Sequence, residues 1–476
     1  MATVGRVKRK STRRKTSPAA DGLKIGYIGG GSVHWAHVLM SDLAMCPQMA
    51  GEVRLYDVIP ERARMNARYG TKLYAKKEVK SSWTWKASRT LKAAIEGANF
   101  VFLSITPGQL EAFAREMEIA ERHGIHMTVG DTVGPTGYMR GLRAARLYAG
   151  FAKAIAEHAP NAWVVNYTNP MTICTQTLST VAPGIKVFGC CHEVFGTQKH
   201  LAGLVEKYLG DKEPPRDEIE VDVTGLNHFT WLTRATWKGH DLRTLWDRNY
   251  RENNSLRPRH KADELEEQSV FGGKDCVKYA LAERFGPLAA AGDRHLVEFV
   301  PGFLKSPDEI ARWGLKVTRV REFRIPKFNE NLDKTRSKAS GKLPIEIETS
   351  GEEAVRQMMA IVGLGDLKTN VNLPNTGQID DLPRGSVVET NALFTRDRVT
   401  PLSAGPLPAS LTGLMNQHAT NQRRIVEAAL EADEDKAIAT IALDPVNTLP
   451  LDETASMVRE MIEATEPWSY PVEPPK

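Results

Sequence analysis

Over the first two hundred residues, short apolar runs alternate with longer stretches in which apolar positions recur every three or four residues. Lys24–Ile28, Glu52–Tyr56, Asn99–Ile105, Ala162–Asn166 and Ile185–Phe188 read as strands, short and bounded by glycine, proline or polar residues. Gln109–His123 carries the pattern of an amphipathic helix. Strand and helix in turn predict an α/β fold with a parallel sheet. Beyond about residue 200 the alternation changes. Glu218–Thr224 is a strand and 276–286 a helix, whereas 250–275 and 321–345 are charged and read as exposed excursions. Asn370–Asp381 and Ser386–Glu389 suggest a β-rich return to the core. Asn421–Leu430 is an amphipathic helix, with another after Asp452.

Charge changes this picture at one end only. The net charge is +5, yet Arg6, Lys8, Arg9, Lys10, Arg13, Arg14 and Lys15 face Asp21 alone within residues 1–22, so the remainder is slightly acidic. A body built to bind nucleic acid is therefore not indicated. Residues 1–22 read as a disordered basic leader. No apolar segment follows Arg13-Arg14 as a secretory signal requires, and no apolar run is long enough to cross a bilayer. The five cysteines show no disulfide spacing, which points to a reducing cytoplasm.

The strand Lys24–Ile28 runs straight into Gly29-Gly30-Gly31-Ser32 and then a helical stretch. Glycines let the chain turn tightly and approach a pyrophosphate at a helix N-terminus. The next strand ends in Asp57, suited to accept hydrogen bonds from ribose hydroxyls and to repel a 2′-phosphate. Gly29, Gly31, Ser32 and Asp57 are thus the candidate NAD-binding residues. The expected organisation is a Rossmann-like domain over 23–200 and an α/β domain over 201–476 that carries substrate and metal.

Several polar segments close predicted strands or sit in glycine-rich loops, where α/β proteins bind ligands. They are Gly130-Asp131-Thr132-Val133-Gly134-Pro135, Asn166-Tyr167-Thr168-Asn169-Pro170, Gly189-Cys190-Cys191-His192-Glu193-Val194 and Gly225-Leu226-Asn227-His228. Asn169 is placed to cap a helix beginning at Pro170. Cys191 and His228 offer a thiolate and an imidazole. Two protein ligands are too few for a closed structural zinc but suit a divalent ion with open positions. Manganese fits where substrate oxygens complete the shell, although a thiolate also attracts zinc or iron.

Together these ordered motifs, with Asn372–Leu382, Val387-Val388-Glu389 and the Asn421–Leu430 helix, resemble glycoside hydrolase family 4 from about Lys24 to Leu449. These are NAD-dependent glycosidases outside the two-carboxylate scheme. The resemblance implies a Rossmann-like N-terminal domain and a mixed α/β C-terminal domain in a lactate/malate-dehydrogenase-like arrangement. It implies NAD and Mn2+ as cofactors, with Cys191 and His228 as metal ligands. Asn169 is implied as a contact to substrate hydroxyls, and Asp131 as the acid assisting aglycone departure. The implied reaction oxidises C3, deprotonates C2, eliminates across C1–C2, adds water and reverses the redox step.

Asp293 and Tyr279 are the leading candidates for the C2 base that the resemblance implies, with Tyr250 behind them. The runs Gly189–Gln198 and Gly292–Phe299 are most similar to the α-galacturonidase and α-galactosidase branches. On that reading His192 shapes substrate choice and Arg294 pairs with a uronate carboxylate. The resemblance further implies a small-molecule glycoside substrate and a homodimer or homotetramer, with neither nucleic acid nor membrane as partner. The competing readings are an NAD-dependent dehydrogenase of a hydroxy acid or sugar, and a non-catalytic dinucleotide-binding protein.

Overall fold

The computed structural model describes residues 19–468. Six strands lie parallel: β1 (Ala20–Ile28), β2 (Met49–Tyr56), β3 (Ser82–Ala87), β4 (Phe100–Leu103), β5 (Trp163–Asn166) and β6 (Lys186–Gly189). Their order, β3-β2-β1-β4-β5-β6, reverses direction between β1 and β4. A dinucleotide-binding domain has this topology, with its ligand crevice at the point of reversal. β4 and β5 are buried along their whole length because helices cover both faces, which is why they read as unbroken apolar runs. β3 was absent from the expected strands. It is an edge strand in which buried Trp83 and Trp85 alternate with exposed Ser82, Thr84 and Lys86.

A second, antiparallel sheet is built from β7 (Glu220–Leu226), β8 (Phe229–Trp237), β9 (His240–Asp241) and β10 (Leu288–Ala289). The expected β-rich return is β11 (Leu367–Pro374), β12 (Val387–Thr395) and β13 (Arg398–Pro401). These extend the first sheet antiparallel beyond β6 to nine strands. One sheet therefore draws strands from both sides of the expected 200/201 boundary, which itself falls inside the helix Glu193–Leu209.

Residues 1–18, most of the expected basic leader, lie outside the described residues; Ala20 to Gly22 already belong to β1. The polar stretch 321–345 is not an excursion. It contains the helix Ile325–Ser340, which packs against the helix Pro60–Tyr74 through a narrow buried face of Leu332, Thr335 and Ala339. The helix Gly134–His158 packs against the helices Met171–Val181 and Ala409–Glu431 and contributes to two of the buried clusters. No helix among the described residues is long and apolar enough to cross a membrane.

Candidate active site

The glycine turn after β1 is closed by its own neighbours. The amides of Gly29 and Gly30 both donate to the Tyr56 carbonyl, that of Ser32 donates to the Gly29 carbonyl, and that of Gly31 donates to Asp57 Oδ2 at 2.9 Å. Gly29 has φ +86°, and a Cβ there would lie 2.1 Å from the Ser104 carbonyl oxygen. A Cβ on Gly31 would lie 2.6 Å from Asp57 Oδ2. Gly29 thus lets the turn after β1 approach the backbone that follows β4. Ser32 Oγ accepts the Trp35 amide at 3.1 Å, and Asp57 Oδ1 accepts the Ile59 amide at 2.9 Å.

Gly29, Gly31, Ser32, Trp35 and Asp57 line a cavity of about 650 Å³ that is also lined by Asp131, Arg140, Asn169 and Arg324. Asn169 does not cap the following helix. That helix begins at Met171, with Pro170 in the capping position and no side-chain cap. The carbonyl of Asn169 accepts from Arg140 Nε at 3.0 Å, and its side-chain Oδ1 is buried without a hydrogen-bond partner. A buried acceptor left open at a cavity wall is suited to a ligand hydroxyl.

Asp131 links this cavity to a cluster of imidazoles. The ligating atoms of Asp131, His228 and His295 all lie within 4.8 Å of one another, and the rings of His228 and His295 stack with centroids 3.7 Å apart. His228 occupies the two-residue turn between β7 and β8 at φ +65°, a conformation that costs a non-glycine residue on the order of 1 kcal/mol. Burial, together with the His295 ring, pulls the His228 imidazole down to about 3; burial also lowers His295. Both rings are therefore neutral at neutral pH, the form that ligates a metal. Burial alone would raise the Asp131 carboxyl, but His295, Arg324, His228 and Arg140 together hold it well below the usual carboxylate range.

The loop carrying Asp131 is fixed from the helix Asp293–Phe299. Glu298 Oε1 accepts from the amides of Val129 (2.6 Å) and Gly130 (2.9 Å) and from Thr128 Oγ1 (3.1 Å). Glu298 and His295 are three apart on that helix and share a face, so one element sets both the loop and the imidazole.

Cys191 is buried beside this group but is not one of the three clustered ligands. Burial, with Glu389 and Glu193 nearby, raises its thiol well above the ordinary value; the Glu193 amide and the Asn227 side chain oppose that rise by hydrogen bonding to the sulfur. Glu389 is held by the amides of Asn370 (2.7 Å), Asn227 (3.1 Å) and Asn372 (3.1 Å). His192 is half exposed and pairs with Glu352 at 3.1 Å, which raises its imidazole. It lines a neighbouring pocket of about 240 Å³ together with Glu193. Glu193 in turn accepts the Gly292 amide at 2.7 Å and lies 3.9 Å from His295 Nε2.

The remaining expected residues are engaged elsewhere. Asp293 accepts the amides of Val277 and Lys278, each at 2.9 Å, at the start of the helix Cys276–Phe285; burial and Asp275 raise its carboxyl. The Tyr279 hydroxyl lies 2.6 Å from His200 Nε2 and accepts from Asn249 Nδ2 at 2.8 Å, in an aromatic stack with Trp246 and Tyr250. Arg294 donates to the Thr128 carbonyl and to Thr318 Oγ1 and does not line the cavity. The sequence reading missed His295, although it lies one residue past Arg294, and it missed Arg140, Arg324, Thr132 and Glu298. The adjacency of Thr132 to Asp131 was the one local signal available.

The fold and site define a dinucleotide-binding α/β protein with a carboxylate–imidazole cluster that joins its cofactor cavity through Asp131. Residues 24–207 match the model for the family 4 glycosyl hydrolases, and residues 223–447 match that family's C-terminal domain. The chain belongs to this family. It is 41% identical over 458 residues to the α-galacturonidase of Thermoanaerobacterium saccharolyticum, covering 95% of this chain and 98% of that one. The crystal structure of lplD from Bacillus subtilis superposes with a TM-score of 0.87 at 41% identity, covering 93% of this chain and all of that one. A 6-phospho-α-glucosidase from gut microorganisms, solved with NAD and Mn2+, shares the fold at 19% identity and a TM-score of 0.76, covering 95% and 99% of the two chains.

Proposed function

We propose that the protein is an α-galacturonidase that uses NAD+ and a divalent cation, manganese by preference. The observation that carries this reading is the double membership of Asp131. It lines the cavity that begins at the glycine turn, and it belongs to the cluster with His228 and His295. Cofactor and metal chemistry thereby meet on one substrate. The 41% identity to an α-galacturonidase over nearly the whole chain supports the substrate.

The residues suit both groups. For the dinucleotide, the turn tolerates no Cβ at Gly29 or Gly31, and Asp57 stands in the cavity wall as a ribose acceptor. For the cation, Asp131 is ionised, His295 Nδ1 is buried without a partner, and His228 Nδ1 is occupied by Thr132, which leaves Nε2 to ligate. Two imidazoles and a carboxylate suit a first-row divalent ion that keeps open positions. Cys191 stands ready as a further, thiolate ligand once a cation offsets its burial.

When bound, NAD+ supplies a hydride acceptor and the cation stabilises negative charge on neighbouring sugar oxygens. The chain's own part is positioning. Asn169 Oδ1 accepts a substrate hydroxyl, and Arg140 fixes the backbone that presents it. The five buried, unpaired cysteines support a reducing, cytoplasmic location.

The test is hydrolysis of 4-nitrophenyl α-D-galacturonide with NAD+, Mn2+ and a reductant present. Nitrophenol release without accumulation of NADH is expected, together with loss of label from a C2-deuterated substrate. Stoichiometric NADH would instead identify a dehydrogenase.

A further inference from the structure

Three arginines line the cavity: Arg62 faces Asp57, while Arg140 and Arg324 share the single anionic charge of Asp131. Arg140 comes from the helix Gly134–His158, and Arg324 from the end of the turn Val320–Arg324. Each guanidinium carbon lies 5.3 Å from the ring centroid of Phe113, so the two cations share one aromatic platform. Neither has an acidic partner within 4.0 Å among the described residues. The nearby Glu116 is already paired with Arg143 through Oε2 at 2.9 Å as well as Oε1. Asp131 belongs to the imidazole cluster and accepts from Thr132. Arg140 is buried, and Nε of Arg324 is a buried donor with no hydrogen-bond partner. A buried cation beside a partly buried one with an unfilled donor, sharing one carboxylate, is costly, and a cation–π platform offsets that cost only in part. The arrangement calls for an anion.

We infer that Arg324 and Arg140 together read the C6 carboxylate of the glycoside, and that Arg324 sets the preference for uronides over neutral hexosides. The inference rests on the glycosidase reading above and replaces Arg294 in the role assigned to it from sequence. Arg294 donates through one Nη to Thr128 and Thr318, and although its Nε is buried without a partner, it is not among the residues lining the cavity. A planar carboxylate matches the fork of a guanidinium, and Nε of Arg324 with an Nη supplies the two parallel donors of a bidentate pair. Asn169, whose backbone Arg140 holds, then faces the hydroxyls of the same sugar. The dinucleotide's diphosphate is the other anion this cavity would take, and the glycine turn is the element suited to hold it.

The experiment compares wild type, Arg324→Gln and Arg324→Lys, each with NAD+ and Mn2+, on 4-nitrophenyl α-D-galacturonide and 4-nitrophenyl α-D-galactoside. The readout is the ratio of kcat/KM for the two substrates, with the Kd for NAD+ measured alongside. The ratio is expected to fall on the order of 100-fold in Arg324→Gln, the loss of a charge-assisted pair, and to recover partly in Arg324→Lys, with NAD+ affinity held. An unchanged ratio, with both substrates falling alike, overturns the inference and leaves the glycosidase reading standing. So does a weakened Kd for NAD+ at constant ratio, which would make Arg324 a cofactor residue. Wild-type enzyme that hydrolyses neither substrate overturns the reading beneath it as well. If Arg324→Gln fails to fold, the ratio in Arg324→Lys decides, since that variant keeps the charge but loses the fork.

Discussion

Thr132 Oγ1 lies 2.7 Å from Nδ1 of His228, and the same hydroxyl lies 2.9 Å from Oδ1 of Asp131. An ionised carboxylate only accepts, so the hydroxyl proton goes to Asp131 and the oxygen accepts Nδ1–H from His228. One side chain thereby fixes the imidazole tautomer, bares Nε2 and orients the carboxylate. Such outer partners of metal ligands are worth about 10- to 100-fold in metal affinity. Thr132→Val is expected to weaken Mn2+ binding by that factor, and Thr132→Ser to retain it, in calorimetric titration of the metal-free protein. Equal affinities in Val and Ser variants would remove the tautomer from the account.

A second relay stands behind the glycine turn. Asn66 Nδ2 donates to the carbonyls of Gly30 and Ser32, each at 2.8 Å, while its Oδ1 faces His37 Nε2 at 3.0 Å. Burial lowers the His37 imidazole from 6.5 to about 4. Between those values the unfolded chain takes up a proton that the native protein excludes. Native stability is therefore fully present above about pH 6.5 and falls as the pH drops toward 4, by up to about 1.4 kcal/mol per pH unit from this group. His37→Gln keeps a donor for Asn66 and does not titrate. Its urea midpoint should decline less than that of wild type between pH 7 and pH 5; parallel declines would place the proton uptake elsewhere.

What the sequence disclosed follows from how local each signal is. The turn Gly29–Ser32 and Asp57 were legible because strand, glycines, helix and acid lie close together in the chain and each constrains the next. The polar ends of β5 and β6 were legible as neighbours because parallel strands end on one edge of the sheet, whereas His228 comes from the β7–β8 turn of the second sheet. His295 was not legible. Its contact with His228 exists only once the helix Asp293–Phe299 is laid against the β7–β8 turn, and nothing local separates it from Asp293 or Arg294. Arg324 was hidden for a different reason. The helix after it buries only three side chains, so its apolar stripe is too thin to register and the segment read as solvent-exposed. Asn169 misled because Asn-Pro is a good cap pair in isolation; here the helix starts one residue later and the freed amide faces the cavity.

The pairing of Gly31 with Asp57 makes the cofactor end of the site separately testable. Asp57 uses one oxygen on the Gly31 amide and the other on the Ile59 amide, so it stabilises the turn while standing in the cavity wall. Each oxygen keeps a lone pair for a ribose hydroxyl, and burial raises the carboxyl without removing its role as acceptor. Asp57→Asn turns one acceptor into a donor facing an amide N–H and cancels the charge that repels a 2′-phosphate. NAD+ should bind about 10- to 100-fold more weakly, from charge-assisted hydrogen bonds of about 1.5–3 kcal/mol, and the preference for NAD+ over NADP+ should narrow. Gly31→Ala acts differently, because its Cβ would meet Asp57 Oδ2 at 2.6 Å and Arg62 Cβ at 2.5 Å. That variant should lose NAD+ affinity without gaining NADP+. Fluorescence titration of both dinucleotides separates the two mechanisms, and unchanged NAD+ affinity in Asp57→Asn would move the ribose away from the end of β2.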